Sequence, residues 1–326
     1  MAIYNAPKPW QGRNDGDDAN VQRWHQAIEL INLDQPINQP ISQSTKIAFI
    51  GFCSDEGVLR NQGRVGAKDG PVAIRKACSS FPVHFEKLEL FDAGDVVCDD
   101  GDLEAAQSLL GEKIQQLISR KYTPIVLGGG HEVAYGNFNG IKQKLSAKSN
   151  FGVINIDAHF DLRQVDEKVG VTSGTGFWQM ASHCKENKIG YHYLAIGIQD
   201  CSNTKLLFDT ARNIGALYIK AEEFTNDQLE HILDLLNHVL EESDTVQLSI
   251  DMDAFTAANA PGVSAPAFNG MPPNSMFRRL LRHIVFSGKV ASIDIAELNP
   301  LYDVDNRTAR LAASFVFDMV QALERG

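Results

Sequence analysis

The sequence predicts an α/β protein with three layers, in which helices cover both faces of a mainly parallel, roughly eight-stranded sheet. Three observations lead there. Short runs rich in Val, Ile and Leu recur along the chain and read as buried parallel strands. Longer segments of mixed polarity alternate with them, which implies crossover helices on either side of a parallel sheet. No Pro/Gly linker, internal repeat or low-complexity tract interrupts the pattern, so residues 45–326 read as a single domain.

Residues 1–44 are rich in Asn, Gln, Asp and Pro, and read as an irregular lead-in or a short helix around 20–31. From there the apolar runs place strands at 46–52, 88–92, 124–128, 151–156, 192–198, 215–219, 245–250 and 289–295. The intervening segments place helices at 70–79, 103–120, 203–212, 223–241, 274–286 and 305–323. Asp102 stands where a short acceptor can satisfy the free amides of a first turn, and so reads as an N-cap.

A formal charge of −11 disfavours nucleic acid and anionic lipid as partners. No stretch approaches the ~20 apolar residues of a membrane span, and the N-terminus lacks the layout of a secretory signal. The five cysteines are scattered without a CxxC pair, which suits a reducing cytoplasm better than a disulfide framework. Cys201, just after an apolar run, reads as a bystander rather than a nucleophile.

Three strand candidates end in metal-binding residue types. PIVLGGGHE ends in His131, FGVINIDAHFD in Asp157, His159 and Asp161, and TVQLSIDMDAF in Asp251 and Asp253. In open α/β sheets the chemistry gathers beyond the carboxyl ends of strands. Alternation along a strand would put Asp157, His159 and Asp161 on one side, and likewise Asp251 and Asp253. Four carboxylates crowded together repel one another and drive pKa values upward unless cations intervene. Two divalent ions answer that need. Carboxylates with only two imidazoles favour a hard ion such as manganese over zinc. Gly128, Gly129 and Gly130 lack the spacing of a phosphate loop and read as a tight turn that aims His131 inward. The other histidines read as surface or packed residues. Spacing alone does not choose among phosphate esters, amides and amidines.

These motifs resemble a known family. GGGHE, DAHFD and SIDMDAF, with GRVGAKDGP (63–71) and SIDIAELNP (292–300), are similar in kind and order to those of the ureohydrolase or arginase family. DAHFDLR, TSGTGF (172–177), APGVSAP (260–266) and WQGRNDG (10–16) look most like the branch that hydrolyses N-formimidoyl-L-glutamate in histidine breakdown. The resemblance implies an arginase-like fold and two Mn²⁺ per subunit. His131, Asp157, Asp161 and Asp251 would hold one ion, His159 and Asp253 would complete the second, and Asp157 and Asp251 would be shared. A metal-bridged hydroxide would attack the amidine carbon to release formamide and L-glutamate. Glu297 would pair with the planar formimidoyl cation, and Asp161 would take a proton from the bridging water.

The departures from arginase fit an acidic substrate. Arg163 falls where arginases have an asparagine beside the substrate carboxylate, Ser173 belongs to the same loop, and Ser202 replaces an aspartate that binds a free α-amino group. The loop Ser173-Gly174-Thr175-Gly176-Phe177 carries no histidine, so the leaving nitrogen needs another proton source, and Gly176 stands in place of a proline. Rival readings are an agmatinase-like guanidino hydrolase, a catalytically silent metal-binding member and a binuclear phosphoesterase. Arg163 argues against the first, because agmatine has no carboxylate. The full set of motifs, with Glu297, argues against the others. The partner expected is a small acidic amino-acid derivative, with a homo-oligomer left open.

Overall fold

The computed structural model describes residues 2–16, 18–36 and 44–325. Ten strands join one sheet: β1 (Ile3–Asn5), β2 (Glu29–Leu30), β3 (Thr45–Cys53), β4 (Leu88–Val97), β5 (Tyr122–Leu127), β6 (Asn150–Ile156), β7 (Gly190–Ile198), β8 (Leu217–Lys220), β9 (Thr245–Asp251) and β10 (Val290–Ala296). Their order is β1-β4-β3-β5-β10-β9-β6-β7-β8, with β2 also on β4. Among the described strands only β1 runs antiparallel to its neighbour. The eight expected strands are all present.

The helices are α1 (Trp24–Ala27), α2 (Glu56–Arg60), α3 (Gly70–Cys78), α4 (Leu103–Ser119), α5 (Val133–Ile141), α6 (Gly176–Glu186), α7 (Lys205–Asn213), α8 (Leu229–Glu242), α9 (Ser275–Phe286) and α10 (Arg307–Arg325). They cover both faces. Ile47 and Phe49 of β3 belong to the apolar layer that also holds α3, α8, α9 and α10, whereas Ala48, Ile50 and Phe52 belong to the layer that holds α4, α5, α6 and α7. Period-two alternation thus feeds two apolar layers from one strand. Asp102 caps α4 as expected, its carboxylate accepting from the Ala105 amide at 3.0 Å. No helix among the described residues is long and apolar enough to cross a membrane.

The structure departs from the sequence reading in three places. The lead-in, whose residues 1, 17 and 37–43 lie outside the described ones, is not irregular throughout. It lends β1 and β2 to the sheet edge and buries Trp24 against Phe49 and Phe317. The helix expected around 20–31 shrinks to the single turn of α1, preceded by a turn at Ala19–Val21. Helices α2, α5 and α6 were not anticipated.

Candidate active site

Four adjacent strands in the middle of the sheet, β5, β10, β9 and β6, end at one edge. Beyond those ends lie His131, Glu297, the pair Asp251 and Asp253, and the trio Asp157, His159 and Asp161. They converge on a cavity of about 330 Å³. Its wall includes His131, His159, Asp161, Arg163, Ser173, Ser202, Asp251, Asp253 and Glu297. Asp157 is fully buried against His131 and His159. All ten residues singled out in the sequence therefore meet at one place.

Strand alternation does not cause the convergence, contrary to expectation. β6 stops at Ile156, so Asp157, His159 and Asp161 sit on the loop beyond it. Asp161 turns back with φ of 47°, a left-handed backbone uncommon for residues other than glycine. β9 stops at Asp251, and a tight turn over Met252–Ala254 brings Asp253 round, its amide donating to the Asp251 carboxylate at 2.7 Å. Glu297 also has a left-handed backbone, with φ of 66°. Such geometry recurs where a fold holds functional side chains. At the glycine turn, a Cβ on Gly129 would lie 1.8 Å from the Ser54 carbonyl oxygen, so only glycine lets β5 lead into His131 there.

Two groups emerge. The Nδ1 of His131 faces Asp157, Asp161 and Asp251 oxygens at 3.1, 3.0 and 3.0 Å, yet makes no well-aligned hydrogen bond to them. The Nδ1 of His159 lies 3.1 Å from Asp253 and 3.5 Å from Asp157. His131, Asp157 and Asp161 can each offer an atom to one ion, and Asp157, His159 and Asp253 to another. One buried nitrogen aimed at three carboxylate oxygens suits a hard divalent cation between them.

The electrostatics carry the same message. Burial, then Asp253 and Asp157, pushes the Asp251 carboxyl well above its usual range. Burial also raises Asp253, with Asp157 and Asp161 adding to it. Burial and the neighbouring Asp157 raise Asp161. Burial opposes charge on His131 and His159, but the surrounding carboxylates win and lift both pKa values well above the ordinary one. Asp157 alone is held low, since the two imidazoles outweigh its burial. The cluster thus gathers protons, which supply positive charge that its carboxylates require and that divalent ions supply better.

Glu297 accepts from the His131 amide at 2.9 Å with one oxygen, and the other oxygen has no partner among the described residues. Burial, then Asp253 and Glu132, pushes its pKa up to about 8. Arg163 is exposed, and its amide donates to the Gly174 carbonyl at 3.0 Å, tying the two loops together. Ser173 is buried, and Ser202 is half-buried on a turn after β7. Gly176 opens α6 with φ of −58°, a value that proline also adopts, so its replacement of a proline leaves an ordinary backbone.

Sequence reading missed a supporting layer. His131 Nε2 meets Ser249, whose hydroxyl donates to buried Asp294. Asn137 and Gln247 donate to the same carboxylate at 2.7 and 2.9 Å. It also missed Asn61 and Arg64, which line the cavity from the segment after α2, with Asn61 donating to the Ser173 hydroxyl at 3.1 Å. Glu132 anchors that helix, accepting from Ser54 Oγ at 2.9 Å and the Gly57 amide at 3.0 Å.

Known proteins resemble this chain along its length. The arginase-family profile matches residues 45–321. Formimidoylglutamase of Chromobacterium violaceum is 44% identical over 98% of this chain and 99% of its own. That of Geobacillus thermodenitrificans is 42% identical over 99% and 98%. The structure of Bacillus subtilis formimidoylglutamase has the same fold, with a TM-score of 0.80 at 24% identity over 96% and 95% of the two chains. Trypanosoma cruzi formiminoglutamase with Mn²⁺ gives a TM-score of 0.73 at 26% identity over 88% and 96%. From β3 through most of α10 the profile follows the chain without a break, and this protein is a member of the arginase family.

Proposed function

We propose that this protein hydrolyses N-formimidoyl-L-glutamate to L-glutamate and formamide, a step of histidine degradation. The observation that carries the reading is its end-to-end likeness to formimidoylglutamases of two organisms. The cavity agrees: a carboxylate suited to an amidinium stands beside the two His/Asp groups, with Arg163 on the same wall.

In this reading His131, Asp157, Asp161 and Asp251 would hold one manganese ion, and His159 and Asp253, with Asp157 and Asp251, would hold a second. When bound, the ions polarise the substrate and lower the pKa of a coordinated water. Asp161 takes the proton released as the amidine carbon is attacked and returns it to the leaving nitrogen, since the 172–177 loop has no histidine. Glu297 pairs its free oxygen with the formimidoyl cation, whose charge favours the ionised form of a carboxyl that burial otherwise keeps protonated. Arg163 pairs with a substrate carboxylate as a planar fork. Ser173 and Ser202 complete the polar wall with no carboxylate to attract an ammonium. Residues 45–326 act as one catalytic domain in the cytoplasm, and the lead-in completes the sheet edge. Neither nucleic acid nor membrane is required, and a homo-oligomer is compatible with the site. Formamide released from formimidoylglutamate by the manganese-loaded protein is the test.

A further inference from the structure

Among the described residues two arginines line the cavity, Arg64 and Arg163. Among the described residues Arg64 has no carboxylate partner. It is half-buried and reaches from the segment after α2 to the loop 260–266. Its Nε donates to the Ser264 carbonyl at 3.1 Å and its Nη2 to the Val263 carbonyl at 2.6 Å. The guanidinium lies over the Tyr302 ring, 4.1 Å from its centroid. Its backbone is pinned too, the amide donating to Ser264 Oγ at 3.2 Å and the carbonyl accepting from Asn299 at 3.0 Å.

A guanidinium has five N–H donors, and the two carbonyl bonds leave the others free. Carbonyls carry no net charge, so a full cation remains at the cavity wall. Because neighbouring groups already fix the side chain, little rotamer freedom is left to lose when an anion arrives. Carboxylate is the planar anion that a fork of this kind matches. The proposed substrate has two carboxylates, and two arginines line the cavity.

We infer that Arg64 binds one carboxylate of the substrate while Arg163 binds the other, so the cavity selects dicarboxylates. This rests on the proposed function. Arg64 is then more than a staple for the 260–266 loop.

The test compares Arg64→Met and Arg163→Asn with wild type on three ligands. L-glutamate has both carboxylates, 4-aminobutyrate lacks the α-carboxylate, and 2-aminobutyrate lacks the side-chain one. Calorimetric binding to the manganese-loaded protein reads affinity without turnover, and KM for the three formimidoyl derivatives repeats the comparison. Each substitution should weaken the dicarboxylate about ten- to a hundredfold, the worth of one charged hydrogen bond. Arg64→Met should leave one monocarboxylate almost untouched, and Arg163→Asn the other. Arg64→Lys, which keeps the charge, should lose less than Arg64→Met.

The inference is overturned if Arg64→Met weakens all three ligands equally, as a staple would, or weakens none. It is also overturned if both substitutions spare the same monocarboxylate. A wild type that binds with the predicted split but releases no formamide would refute the proposed reaction and leave the role of Arg64 standing.

Discussion

The Nε2 of His131 lies 2.9 Å from the Ser249 hydroxyl, which itself donates to the buried Asp294 carboxylate. A hydroxyl whose proton is committed can only accept from the imidazole, so Nε2 carries the hydrogen. With the ring neutral, that tautomer would turn the Nδ1 lone pair toward Asp157, Asp161 and Asp251, where a bound cation would displace the proton that these carboxylates otherwise hold on the ring. Ser249→Ala should therefore weaken manganese binding by roughly ten- to a hundredfold, read by competition with a chelator. Unchanged affinity would mean that the ring is oriented without this hydroxyl.

The proposed sharing of Asp157 and Asp251 between two ions predicts a pattern of metal loss. Asp157→Ala and Asp251→Ala should empty both sites, and His159→Ala mainly one, by metal analysis after dialysis. Two fully occupied sites in Asp157→Ala would overturn the assignment.

Glu297→Gln keeps the shape and the bond from the His131 amide but removes the charge. Turnover should fall by an amount equivalent to about 1.5–3 kcal/mol, the worth of a charged hydrogen bond, with metal content near normal. Wild-type kinetics in this variant would remove Glu297 from the reaction.

Metal removal should make stability depend on pH. Burial and mutual repulsion raise Asp251 and Asp253, and Glu297 to about 8, while nearby carboxylates overcome the cost of burial and raise His131 and His159. In each case the folded state holds a proton that the unfolded chain releases earlier, so stability falls as pH rises. The melting temperature of chelator-treated protein should drop between about pH 5 and about pH 8, and manganese should restore more of it at the upper end. A flat profile would contradict the crowding of the carboxylates.

The eight main strands were legible because each is an apolar run with clear ends. Helix α5 was not, because VAYGNFNGI carries two glycines and no charge and is mostly buried, leaving no polar face to mark a period. Strand β1 has three residues and owes its pairing to β4, more than 80 positions away. The ten site residues were legible from motifs, although turns rather than strand alternation bring them together. The Ser249 and Asp294 layer did leave a trace. In TVQLSID, Gln247 and Ser249 alternate with Val246, Leu248 and Ile250, placing a polar stripe in a strand buried on both faces. Arg64 lies in the motif GRVGAKDGP but was not singled out, since its contact with Ser264 spans 200 residues of sequence.

The central claim is a choice of substrate, and product analysis tests it most directly. Manganese-loaded protein would be offered N-formimidoyl-L-glutamate, agmatine, arginine and guanidinobutyrate at equal concentration, with formamide and urea measured separately. Formamide from formimidoylglutamate, with little or no urea from the others, is the predicted result. Urea from agmatine or guanidinobutyrate without formamide would contradict the account and make the protein a guanidino hydrolase.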